Sequence, residues 1–203
     1  MSGIIIKDLY NLKSQLRIAG VILLVYGIIT LQSDNYSMLS VMTGVFGMML
    51  PVTACAYDEK AKWDRMALSM PLSRRDLAFG KYLLGIGLAT AGLLINLIVL
   101  FIIGVEQVPG GMGFPLGVFA ATLIFLALLL PIIFHFGVEK GRMYMLALFL
   151  IPTVLILLLQ GRELPAIPDG SLGMLKLLIP LLVVVMLAGS LRISAGIMDR
   201  KEY

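Results

Sequence analysis

One cysteine and one histidine are present in 203 residues. A lone Cys55 rules out an internal disulfide, and one Cys with one His excludes a zinc site of the usual composition. Cys55 closes an apolar run and reads as an inert packing residue. His135, near a helix end, reads as a hydrogen-bonded structural side chain. Nucleotide-binding chemistry is missing too. A phosphate-cradling loop needs GxxxxGK followed by Ser or Thr, and Phe79-Gly80-Lys81-Tyr82 lacks both the first glycine and the hydroxyl residue. There is no H-E-x-x-H, and Gly189-Ser190 lacks the flanking pattern of a nucleophile elbow. Nothing here supports an enzyme, and the sequence calls for no cofactor or metal of its own.

Charge is scarce at 14% of residues, and hydrophobic residues make up 60%. Soluble domains run at about 45–50% apolar. The mean hydropathy is +1.00. Several apolar runs reach the roughly 20 residues that cross a bilayer. The expected fold is therefore all-α: one polytopic transmembrane domain over 1–203. Its spans are expected near 16–31, 38–56, 82–105, 114–136, 144–160 and 172–191. Ahead of them, Ile5, Leu9, Leu12 and Leu16 recur at spacings of 4, 3 and 4. That stripe predicts an amphipathic helix over 1–15, suited to the membrane interface and its lipid.

The basic residues set an orientation. Fourteen of the sixteen Lys and Arg fall on one side of the predicted spans, an asymmetry that puts both termini in the cytoplasm. The net charge of +4 reports topology rather than nucleic acid. Ionisable residues inside the predicted spans are almost absent, so an ion-coupled transporter lacks its usual residues.

Residues 57–81 form the longest polar interval, with six of the basic residues and the single Trp63. Trp63, Met66, Ala67 and Met70 share a helical face until Pro71 stops the helix. Ser73-Arg74-Arg75-Asp76 is a capping-box pattern, with Leu72 and Leu77 at the staple positions, so a new helix should start near Arg74. Arg74 and Arg75 then lie in a first turn, where the helix dipole disfavours cations. Their partners should lie outside their own helix. In the following span Gly85, Ala89, Gly92 and Asn96 share a face, which predicts a close helix–helix contact with Asn96 hydrogen-bonding across it.

The run from Asp64 to Arg75, followed by Lys81-Tyr82, resembles the phrase between the second and third spans of type-2 ABC exporter permeases. The subgroup it is most similar to exports phenol-soluble modulins and antimicrobial peptides. The resemblance implies a permease subunit in a bacterial plasma membrane that moves amphipathic peptides or lipophilic cargo. It further implies a separate ABC ATPase carrying ATP and Mg, and a second permease copy, identical or not. The ATPase would dock on Asp58, Glu59, Trp63, Arg65, Met66, Met70, Arg74 and Arg75, and secondarily on Glu139, Lys140 and Arg142 in the turn 137–143. A membrane sensor or immunity protein without transport, and an ion-coupled transporter, remain as alternatives. For Trp63, Met66 and Met70 the competing role is packing on the membrane surface or on the chain's own helix ends.

Overall fold

The computed structural model describes residues 2–32, 36–67, 73–104, 111–159 and 169–200. Among them are eight helices and no strand: α1 (Ser2–Asn11), α2 (Lys13–Gln32), α3 (Tyr36–Lys60), α4 (Trp63–Ala67), α5 (Arg74–Ile103), α6 (Gly113–Phe136), α7 (Val138–Leu159) and α8 (Asp169–Arg200). Five described stretches are long and apolar enough to cross a membrane: α2, α3, Arg75–Ile103 of α5, α6, and Leu178–Asp199 of α8.

Several helices run further than hydropathy predicts. α3 continues through Tyr57, Asp58 and Glu59 to Lys60, and α8 continues through the charged tail to Arg200. The predicted polar turn at 137–143 is instead the opening of α7. The reason is common to all three. Glu, Lys and Arg are good helix formers, so polarity ends an apolar window without ending a helix. The helix predicted over 1–15 and the first span are also nearly one element. Leu12 N–H donates to Asp8 O at 2.9 Å, and Leu16 N–H to Leu12 O at 2.8 Å, so the chain passes from α1 into α2 in helical register.

α3 is the most enclosed of the candidate spans and α2 the least. α3 packs on α5, α6 and α2, and α6 also packs on α8 and α7. Small residues allow these close approaches. A Cβ on Gly44 would lie 2.7 Å from Val118 Cγ1, and one on Gly47 would lie 3.1 Å from Thr122 Cγ2. On α5, a Cβ on Gly85 would meet Leu126 at 3.0 Å, one on Gly92 would meet Thr43 Cβ at 3.3 Å, and Ala89 is buried against Gly47.

Asn96 completes that face. Its Nδ2 donates to Thr43 Oγ1 at 2.5 Å and to Gly92 O at 2.9 Å, while Ser40 Oγ donates to its Oδ1 at 2.7 Å. Tyr36 OH donates to the Asn96 carbonyl at 2.9 Å. A second buried group joins α5, α6 and α8: Tyr82 OH contacts Ser190 Oγ and, at 2.8 Å, Ser194 Oγ, and Ser190 donates to Ala127 O. In an apolar surrounding every such polar atom needs a partner, and these hydroxyls find theirs on neighbouring helices.

Close approach makes a measurable distinction among glycines. Gly44→Ala forces the stiff Val118 side chain to move and should cost about 1–3 kcal/mol. Gly87, with open space where a Cβ would go, should accept Ala within about 0.5 kcal/mol. Unfolding in detergent micelles measures both; equal effects would contradict the packing.

Candidate functional site

The charged end of the bundle is built where α3 leaves its apolar run. Beyond Lys60 the backbone turns through Lys62, whose φ of 48° is left-handed, and α4 begins at once. A side chain in that region costs roughly 1–2 kcal/mol, so the turn is held by its surroundings. Ala61 N–H bonds to Tyr57 O and Lys62 N–H to Glu59 O. After α4, Ser73 caps α5 as the sequence predicts. Asp76 N–H donates to Ser73 Oγ at 3.1 Å, and Ser73 N–H to Asp76 Oδ2 at 3.2 Å. Leu77, one member of the predicted staple, is buried; the other, Leu72, lies outside the described residues.

Four charged side chains close a ring between α1, α3 and α5. Lys7 Nζ lies 3.0 Å from Asp8 Oδ1 and 2.6 Å from Asp58 Oδ1. Lys81 Nζ lies 2.8 Å from Asp8 Oδ2 and 2.5 Å from Asp58 Oδ2. Signs alternate around the ring and sum to zero. Asp8 is 0% exposed, Lys81 5% and Asp58 7%. Burial of this depth is tolerable only for paired charges. Asp58 and Lys81 flank the interval 59–80, so the ring clamps both feet of the segment carrying α4. Lys7 also lies over the Trp63 ring, 4.4 Å from its centroid, a cation–π contact.

The described residues among those proposed for docking take defined places. Asp58 is committed to the ring. Glu59 reaches the start of α7, where its Oε2 accepts from Val138 N–H at 2.7 Å, a favourable place for a carboxylate at a helix N-terminus. Gly137, at φ 84°, lies so close that a Cβ there would be 3.2 Å from Glu59 Oε1. Trp63 is half-buried against the core cluster of Val52, Cys55, Leu77 and Ile133, so it packs on the chain's own helix ends. Met66 is 54% exposed, and Glu139, Lys140 and Arg142 are exposed on the first turns of α7. Arg75 donates to Asp199 Oδ2 of α8 at 2.9 and 3.0 Å, a partner outside its own helix. Met70 lies outside the described residues, as do the side chains of Arg65 and Arg74. His135, expected as a hydrogen-bonded structural residue, stands exposed with its ring edge-on to Phe136 at 4.5 Å.

Lys7, Asp8 and Lys81 were missed as site residues. The signal for Asp8 lies in spacing: Ile4, Asp8 and Leu12 recur every fourth residue and are all buried. The expected stripe of Ile5, Leu9, Leu12 and Leu16 is turned off that axis, and Leu9 is 40% exposed. Among the described residues no group of His, Cys, Asp and Glu could hold a metal ion.

Long apolar helices, hydroxyls satisfied between helices and a charged end define a multi-pass membrane protein without a soluble domain among its described residues. The chain belongs to the ABC-2 family transporter proteins, whose family model matches residues 3–199. It is thus a membrane component of an ABC transporter, and membership implies an ABC ATPase partner in general. No curated protein and no solved structure matches it.

A closed ring and an isolated ion pair respond differently to charge exchange. Lys81→Met leaves two buried carboxylates sharing one cation and should cost about 3–5 kcal/mol. Exchanging the pair, Asp58→Lys with Lys81→Asp, would rescue an isolated pair. In the ring it sets Lys7 against a cation and Asp8 against a carboxylate, so stability should stay low. Reversing all four signs should restore most of it. Thermal unfolding of the solubilised chain reads the series, and recovery by the two-residue exchange would dissolve the ring into separate pairs.

Proposed function

We propose that this chain is the permease subunit of an exporter driven by a separate ABC ATPase, moving amphipathic peptides or lipophilic compounds out of a bacterial cell. Its six spans are α2, α3, α5, α6, α7 and α8, with both termini and α4 on the cytoplasmic face of the plasma membrane. α7, with 22 residues, is about 33 Å long at 1.5 Å per residue, enough for the sixth crossing. Two permease copies, identical or not, pair with two ATPase subunits that carry the ATP and Mg.

The observation that carries this reading is the use made of two successive carboxylates. Asp58 ties the end of α3 to α1 and α5, and Glu59 ties it to the start of α7. α4 and the first turn of α7 are therefore braced on one point. A partner pressing on Met66 or on Lys140 and Arg142 moves the same helix end, as an energy-coupling surface requires. The ring itself is a poor ion-transport site, because each carboxylate is already neutralised by a lysine.

The exposed and the inward-facing residues should separate by experiment. Met66→Ala with Arg142→Ala should lower recovery of the co-expressed ATPase about tenfold, the order expected from truncating interface anchors, with unfolding unchanged. Trp63→Ala should lower unfolding stability as well, since it empties space in the core. Pull-down by the solubilised permease, with thermal unfolding alongside, checks both. Full recovery with the first pair, or ATP hydrolysis by the pure chain, would overturn the assignment.

A further inference from the structure

The ion ring decides which side of α1 faces the bundle, and so which side is left outside. Ile4, Asp8 and Leu12 point inward. On the outer side Ile6, Tyr10, Lys13 and Arg17 are exposed and follow one another at spacings of 4, 3 and 4. Ile6 is 65% exposed and Tyr10 74%. Because α1 passes into α2 in helical register through Leu12, the same line continues down α2 as Val21, Leu24 and Ile28, all exposed. Read along the helix from Tyr10 onward, past Ile6, the stripe has an aromatic ring, then two cations, then aliphatic side chains.

That order matches the cross-section of one leaflet. Exposed aliphatic residues on a membrane span meet hydrocarbon, and tyrosine and basic residues favour the boundary above it. Lys13 and Arg17 are four residues apart, about 6 Å along the axis. A headgroup layer is about 5–7 Å deep, so the two cations bracket it. Lys13 Nζ lies 5.6 Å from the Tyr10 ring centroid, holding the ammonium beside the ring. Among the described residues neither Lys13 nor Arg17 joins an ion pair, and the nearby Asp8 and Asp58 are neutralised inside the ring. The positive charge of the stripe is thus unopposed.

We infer that the Tyr10–Lys13–Arg17 stripe is a binding surface for anionic phospholipid of the adjoining leaflet, with the lipid phosphate held between Lys13 and Arg17. A zwitterionic lipid offers the same phosphate but returns a cation to a surface with no carboxylate to receive it. Selectivity should therefore follow net headgroup charge.

The test titrates phosphatidylglycerol and phosphatidylcholine into the detergent-solubilised full chain and counts bound lipid by native mass spectrometry. A basic residue at an anionic surface contributes about fivefold in affinity. Phosphatidylglycerol should bind at least fivefold tighter than phosphatidylcholine, and Lys13→Gln with Arg17→Gln should bring the two near parity. Both side chains are exposed, so folding should persist, and the charge-keeping pair Lys13→Arg with Arg17→Lys should retain the preference. Lys140→Gln with Arg142→Gln, on the exposed start of α7, should leave it intact. Equal binding of the two lipids by the unaltered chain would overturn the inference. So would a preference that survives the Gln pair, or one lost equally through Lys140 and Arg142. Loss of self-association in the Gln pair, with lipid preference unchanged, would assign the stripe to a second copy instead.

Discussion

Four buried charges at one end of a membrane bundle are a constraint before they are a source of stability. Water is the cheapest place for each of them, and the ring exists only while α1, α3 and α5 all hold station. An apolar core tolerates sliding by part of a turn because one methyl contact replaces another. An alternating ring does not, because a shift that parts one pair brings like charges closer. Replacing the whole ring with apolar side chains of similar volume would be roughly neutral in free energy. What the charges supply is one allowed arrangement of three helices around the root of α4.

The remainder of the bundle follows a different rule. Between α3, α5 and α6 the contacts are small residues and hydroxyls, with Gly44, Gly47, Gly85 and Gly92 setting the approach and Asn96 joining the polar atoms of α3 to α5. Hydrophobic burial gives little preference between a helix neighbour and lipid, so fit and hydrogen bonds determine the partners. At the charged end, water and lipid headgroups are available as competitors, and only full electrostatic pairing holds α1 in place.

Much of this was legible in the sequence. Helical class, the start of α5, its capping box and the small-residue face all rest on local patterns, and local patterns survive folding. The continuation of α3 to Lys60 and the early start of α7 were hidden because hydropathy marks a change of environment rather than a break in hydrogen bonding. The ring was hidden for a deeper reason. Asp8, Asp58 and Lys81 are 50 and 23 residues apart in sequence, and each alone looks like a solvated surface charge. Only the interruption of an apolar stripe by Asp8 hinted that a carboxylate was to be buried. Trp63 and Arg75 show the same limit. Each has, besides any external partner, a contact inside the chain that its local sequence does not announce: Lys7 over the Trp63 ring and Asp199 beside Arg75.

α5 differs from its neighbours in one further respect. α3, α6 and α8 each contain an internal proline, at Pro51, Pro131 and Pro180, whereas the 30 residues of α5 contain none. Helices with an internal proline have a place to bend; α5 has no such place over its length of about 45 Å, and it is gripped near one end by Lys81. From Lys81 to Ile103 is about 33 Å, so a tilt of about 2° at that grip swings the opposite tip by about 1.2 Å. A displacement smaller than a bond length at the charged end thus becomes, by leverage alone, a movement at the far side large enough to part a methyl-to-methyl contact.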